Sequence, residues 1–328
     1  MAAPTTTLGT AGPATGSRSF FSRLLEGDEI ARFITFLFAA TVVLITILLV
    51  YQLWINSVLP RHKFGFHFFV TSVWDPIMDE YGALPFIYGT LVTSAVALAL
   101  AVPLGIGAAI FLAELAPPRV SDTLQFFIDL LAAVPSVIYG LLGVFIIVPL
   151  MRTVIAPALI KTLGFLPLFQ GPSYGVGFFT AGIVMAIMVI PYIISVSREV
   201  LLSVPRDQRE AALALGSTRW ESTWKVVVPF ARTGIMGSIF LAMARALGET
   251  MAVTMVIGNT PKIAASLFAP GYSIAAVIAN EFTEATGDMY LQSLIYLGLV
   301  LFLLTFVLNG VARLLILATT QRGSRVAA

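Results

Sequence analysis

Apolar residues run along this chain in long blocks set apart by short charged stretches. Uncharged stretches cover 33–60, 81–113, 130–151, 162–197 and 289–312, and 233–261 is uncharged except for Arg245 and Glu249. A bilayer core takes about 20 apolar residues per helix, so each stretch predicts a transmembrane helix. Gly171-Pro172 interrupts the 162–197 run, and a helix is expected there from near Tyr174. A further uncharged stretch, 263–280, is cut by Pro270-Gly271 into pieces too short to cross; it reads as a re-entrant or surface segment. The pattern predicts an all-α polytopic membrane protein with six transmembrane helices. Pro103, Pro135 and Pro191 fall inside the expected spans, with Pro149 near an end, and each is placed to bend its helix.

Composition agrees. Only 11% of the 328 residues are charged and 58% are hydrophobic, against about 25% charged in average soluble chains. Mean hydropathy is +0.95. The absence of cysteine excludes disulfides, thiolate metal sites and cysteine nucleophiles. A net charge of +2 gives no ground for nucleic-acid binding. With so few charges, each should mark a boundary, a contact surface or a site.

Basic residues set the topology. Six spans put both termini on one side, which receives Arg18, Arg23, Arg32, Arg119, Arg198, Arg206, Arg209, Arg219, Lys225, Arg232, Arg313, Arg322 and Arg325. The opposite side receives Arg61, Lys63, Arg152, Lys161 and Lys262. The richer side is expected to be cytoplasmic. The N-terminal segment 1–29 reads as a disordered cytoplasmic tail and 30–58 as an uncleaved first transmembrane helix, since the apolar run outlasts a signal-peptide core. The extracytoplasmic loop 59–82 holds both histidines, His62 and His67, with no cluster of partners that would suggest a metal site.

The connection between the fourth and fifth spans, residues 198–232, carries ten of the 36 charges. Arg206 to Leu215 reads as a short helix stopped by Gly216. Ser217 or Thr218 is placed to cap a second helix carrying Trp220 and Trp224. An exposed apolar surface of this kind suggests a partner.

Glu210-Ala211-Ala212, three residues, Gly216, nine residues, then Val226, Val228 and Pro229 resembles the EAA loop of ABC importer permeases, with Val228 where that family prefers leucine. The resemblance implies a type I ABC importer permease (MetI-like) fold over 83–319, containing five helices, a cytoplasmic EAA coupling loop at 201–229 and an extracytoplasmic segment at 259–288, followed by a cytoplasmic tail, 320–328. It further implies that Glu210, Ala211, Ala212, Gly216 and Pro229 couple the chain to an ATPase. Glu210 is expected to make charged contacts there and Gly216 to let the loop turn. The sequence lacks the G-x-x-x-x-G-K-[ST] phosphate loop, so the chain is expected not to be an enzyme itself. ATP and magnesium would be bound by the partner, and this chain is expected to hold no cofactor or metal.

Arg245 and Glu249 stand at i and i+4, which on a continuous helix puts them on one face. Each charge in a bilayer costs on the order of 2.5–3.5 kcal/mol on insertion scales. One reading is a structural lock between helices. The other is that Arg245 supplies paired N–H donors to a passing anion while Glu249 keeps the pocket from becoming a permanent trap. The surrounding stretch, ARALGETMAVTMVIGN at 244–259, is similar to the PstC-type permeases of phosphate ABC importers. So are YGALPFIYGTLVTS at 81–94, LLAAVPSVIYGLLG at 130–143 and SLFAPGYSIAAVIANEF at 266–282. That likeness implies translocation of inorganic phosphate past Arg245, Glu249 and Thr250. It also implies a heterodimer with a PstA-type sister permease, two PstB-type ATPase subunits, and a PstS-type phosphate-binding protein delivering from outside. Segment 272–285 reads as a short amphipathic helix at that outer mouth, with Glu281, Glu284 and Asp288 either solvated or facing the partner. Alternatives are a same-class permease for sulfate, molybdate or phosphonate, or an ATP-independent channel or secondary transporter.

Overall fold

The computed structural model of the protein describes residues 28–326, with side chains from Ala31 to Leu314. The expected tail 1–29 lies outside the described residues up to Gly27, as do Arg18 and Arg23, the last two residues of the 320–328 tail, and the side chains of Arg322 and Arg325. Two compact units divide after Gln52. The first, where described, is helical: α1 (Asp28–Ile55) runs uninterrupted through its end. The hydroxyls of Thr35, Thr41 and Thr46 bond back to the carbonyls of Ala31, Leu37 and Val42, which hides their polarity in an apolar stretch.

The second unit holds the other five of the six helices that are long and apolar enough to span among the described residues. These are α3 (Leu84–Leu115), α5 (Ser136–Leu163), α6 (Phe178–Leu202), α8 (Arg219–Leu247) and α11 (Asp288–Val326, apolar to Leu314). Shorter elements complete it: α2 (Val58–Phe64), α4 (Pro118–Ala132), α7 (Arg206–Ala214), α9 (Met251–Val256) and α10 (Ile274–Glu281). A two-residue hairpin pairs β1 (Trp74–Asp75) antiparallel with β2 (Glu80–Tyr81).

The six spans stand as expected, but several boundaries move. Positive φ at Gly175 and Gly177 delays α6 from Tyr174 to Phe178. Beyond the 130–151 run, α5 continues to Leu163, so Arg152 and Lys161 ride on its outer surface instead of lying in a loop. Pro135 is not inside a span; it is the cap before α5 and separates it from α4. The fifth span is shifted toward the N-terminus, from 233–261 to Arg219–Leu247, because its helix begins at a cap on Thr218. The C-terminal helix runs through the boundary expected at 319/320.

Proline chemistry explains a feature repeated along these spans. Four π turns occur among the described residues, at Phe111–Leu115, Gly143–Ile147, Met151–Ile155 and Thr223–Val227. Each contains the residue four positions before a proline: Ala113 before Pro117, Phe145 before Pro149, Thr153 before Pro157 and Lys225 before Pro229. Proline cannot donate to that carbonyl and its ring crowds it. The widened turn, with its i−5 bond such as Val228 N–H to the Thr223 carbonyl, relieves the crowding.

The core sits where α3 crosses α6. A Cβ on Gly182 would fall 2.4 Å from a Val96 methyl, and one on Gly105 2.7 Å from a methyl of Ile193, so glycine lets these helices close. Ser197 of α6 and Ser238 of α8 share a buried hydrogen bond of 2.7 Å.

An aromatic cap forms a second cluster, from Phe68, Tyr81, Phe86, Tyr272 and Tyr296 with α10. The 263–280 segment begins at the surface, where Ile263 is exposed, and then turns inward, with Ile274, Ala276 and Val277 fully buried. Its irregular backbone is satisfied by the start of α6, where Phe178 and Phe179 N–H groups donate to the carbonyls of Ala269 and Leu267. Glu281 is half-buried and engaged within the chain. Its carboxylate accepts from Trp74 Nε1 and from the Tyr290 hydroxyl, each at 2.8 Å. Burial pushes the Tyr272 hydroxyl up to about 12, and burial with the Asp79 carboxylate does the same for Tyr81, so both stay neutral hydrogen-bonding groups.

Candidate functional site

Two regions stand apart from ordinary packing. The first surrounds Arg245, in the last turn of α8. The helix ends at Leu247, and Gly248, Glu249 and Thr250 form a break before α9. Arg245 and Glu249 therefore do not share one helix face, and no ion pair joins them. Glu249 turns instead to α9, where its Oε1 accepts from the Ala252 N–H at 3.2 Å. Thr250 contributes its carbonyl to Thr254, which donates to it from both N–H and hydroxyl.

What holds Arg245 is aromatic. Its guanidinium lies 4.5 Å from the ring centre of Tyr192 on α6. A cation over a ring is worth about 0.5–2 kcal/mol, depending on desolvation. It uses none of the N–H donors. The buried Nε–H of Arg245 has no acceptor. Leaving a buried donor unmet costs about 1–3 kcal/mol, so this Nε–H stands out from the satisfied polar groups around it.

A second helix break meets the first. Tyr139 spans the interruption between α4 and α5 by donating to the Leu131 carbonyl at 2.7 Å. The start of α5 lies against α9, and a Cβ on Gly140 would reach 3.2 Å from the Ala252 Cα. Membrane transporters build substrate sites at such discontinuous helices. Tyr192 also lines a cavity of about 290 Å³ with Asp129, Ala132, Ala133, Ser195 and Val196. There Asp129 Oδ1 accepts from Ser195 at 2.8 Å and from Gln125 at 2.7 Å. Sequence reasoning missed Tyr139, Tyr192 and Asp129. Asp129 stands at the edge of an uncharged run and looked like its boundary.

The second region is the loop after α6. α7 covers Arg206–Ala214, and Gly216 follows with φ +86°, a conformation that costs an L-residue about 1–2 kcal/mol. The Ser217 hydroxyl and N–H return to the Ala212 carbonyl. Of the two possible caps, Thr218 is the one used: it forms a reciprocal box with Glu221. The chain then enters α8 through a π turn set by Pro229. Glu210 and Ala211 are exposed, Ala212 half-buried. Leu215 is 90% exposed, and Leu213, Trp220 and Trp224 are about half exposed, the two indoles meeting edge to face at 5.6 Å. Among the described residues nothing covers this apolar rim.

Five apolar helices around a core, two broken helices facing a lone arginine, and a solvent-exposed helical loop define a permease subunit. The family model for the inner membrane component of binding-protein-dependent transport systems matches residues 101–320. Over 263 residues the chain is 48% identical to the phosphate transport system permease protein PstC of Mesorhizobium japonicum, covering 79% of this chain and 80% of the relative. It is 44% identical over 311 residues to that of Haemophilus influenzae, covering 94% and 98%. The chain belongs to the PstC family of these inner membrane components. Its fold is shared by a chain of the inward-facing MetNI methionine ABC transporter, with a TM-score of 0.53 at 15% identity over 75% of this chain and 99% of that one. A chain of a bacterial ABC transporter that imports the acidic polysaccharide alginate gives 0.57 at 16% identity over 89% and 98%.

Proposed function

We propose that this chain carries inorganic phosphate across the bacterial plasma membrane as one permease subunit of an ATP-driven importer. The observation that carries the reading is Arg245, seated on a tyrosine ring at the meeting of two helix breaks with its buried Nε–H unmet. Family membership in PstC supports phosphate as the anion.

In this account Arg245 offers its planar fork to two phosphate oxygens, and Tyr192 fixes the plane of that fork. Each charge-assisted bond contributes about 1.5–3 kcal/mol. Glu249, tied to α9, brings negative charge to the same passage, which limits residence and lets the ion leave. Thr250 sits beside Glu249 in the break between α8 and α9.

The distribution of basic residues supports both termini and the 201–229 loop being cytoplasmic, with 59–82 and 259–288 outside. The apolar rim with Glu210, Ala211 and Ala212 docks on a separate ATPase, which binds ATP and magnesium. Gly216 closes that docking helix and Pro229 sets the widened turn behind it. A PstA-type sister permease completes the pathway, two PstB-type ATPases drive it, and a PstS-type binding protein delivers phosphate to the outer cap.

The experiment is reconstitution of the whole complex in lipid vesicles, with ATP hydrolysis followed as the binding protein is loaded with phosphate or offered sulfate. Phosphate should stimulate hydrolysis and accumulate inside. Stimulation by sulfate alone would assign the chain to another oxyanion, and accumulation of phosphate without ATP would make it a channel.

A further inference from the structure

Arg209 precedes Glu210 in α7 but points into the chain. Its Nη2 lies 2.8 Å from Glu114 Oε1, and its Nε is 3.3 Å from both carboxylate oxygens. Nη2 also donates to the Leu201 carbonyl at 2.7 Å, and Nη1 to that of Val204. The Glu114 side chain is 9% exposed and that of Arg209 21%. Glu114 sits in the π turn that closes α3, and Leu201 in the last turn of α6. One guanidinium thus fastens α7 to the ends of two membrane helices.

The α7 helix also rests against the start of α8, over Arg219–Val227. No residue of α7 is buried, so apolar packing does not seat this helix. The remaining ion pairs among the described residues are exposed on one side or local: Arg198 with Asp122 and Glu199, and Lys225 with Glu221 one turn away. A partly shielded pair with a bidentate fork resists separation, because each group left alone would lose its charge-assisted partner.

We infer that Arg209 and Glu114 are positioning residues for coupling: the rigid link through which a displacement of α7 is transmitted to α3 and α6. The inference rests on the reading of α7 as the ATPase-docking helix. Glu114→Gln keeps the size of the side chain and removes the charge that holds the fork. Arg209→Lys keeps the charge but cannot serve the carboxylate and both carbonyls together.

The test uses the complete complex in vesicles. For Glu114→Gln, the ATPase should co-purify in wild-type amount while phosphate imported per ATP falls about tenfold, inside the 5–150-fold range of couplings between distant sites. Arg209→Lys should fall between that variant and wild type. The chain has no cysteine, so spin labels at Asp207→Cys and Arg119→Cys, both exposed, report α7 against the start of α4, directly after α3. Their separation should stay constant between nucleotide-free and ATP-bound states. An unchanged import per ATP in Glu114→Gln, loss of the ATPase from that complex, or a label distance that changes with nucleotide would each overturn the link. A wild-type complex that imports no phosphate would sink the functional reading instead, with the label distances still testing the link.

Discussion

Tyr192 should matter for its ring and not for its hydroxyl. The Arg245 guanidinium stands 4.5 Å over that ring, and burial of its Nε places the contact toward the desolvated end of the cation–π scale. Replacing the ring with leucine keeps apolar bulk and removes the seat, a loss of about 1–2 kcal/mol in the positioning of the guanidinium. If that positioning is used when the anion passes, uptake falls about five- to thirtyfold, at 1.4 kcal/mol per factor of ten. Tyr192→Phe keeps the ring and should import at close to the wild-type rate. The assay is the initial rate of phosphate uptake into vesicles holding the complete complex, normalised to the ATPase that co-purifies. Wild-type uptake by Tyr192→Leu, or equal damage from both substitutions, would refute the argument.

Other changes test neighbouring parts of the account. Gly216→Ala meets no atom within 4 Å, so its cost is backbone strain alone, about 1–2 kcal/mol at φ +86°. It should loosen α7 and lower ATPase co-purification, and Gly216→Asn should recover most of the loss. Glu281→Ala removes the shared acceptor of Trp74 and Tyr290. Two stranded donors cost about 1–3 kcal/mol each, which should appear as a lower thermal midpoint in detergent, with ATPase assembly retained.

Local chemistry made part of this structure legible beforehand. The short helix before Gly216 and a cap at Ser217 or Thr218 are readable because each follows from a few adjacent residues, and the structure decides for Thr218 through its reciprocal bonds with Glu221. The spans were readable because apolar runs of sufficient length have few alternatives in a bilayer. The helix breaks were not. Gly248-Glu249-Thr250 lies inside a stretch as apolar as its surroundings, so spacing alone put Arg245 and Glu249 on one face that the break dissolves. Pro135 looked like a kink within a span and is the cap between two helices. Long-range pairings left no local trace either: Glu114 and Arg209 are 95 residues apart, and Trp74 reaches Glu281 across 207. The charge-free criterion for spans also failed where arginine and lysine ride on a helix surface, as Arg152 and Lys161 do on α5.

Arg245 is where the account can be tested most directly. Arg245→Gln keeps a polar side chain and removes the charged fork, so two charge-assisted bonds to phosphate are lost, about 3–6 kcal/mol together. Uptake into vesicles carrying the complete complex should drop below about one hundredth of wild type, with the ATPase still bound. Phosphate uptake by that variant at the wild-type rate would contradict the central claim.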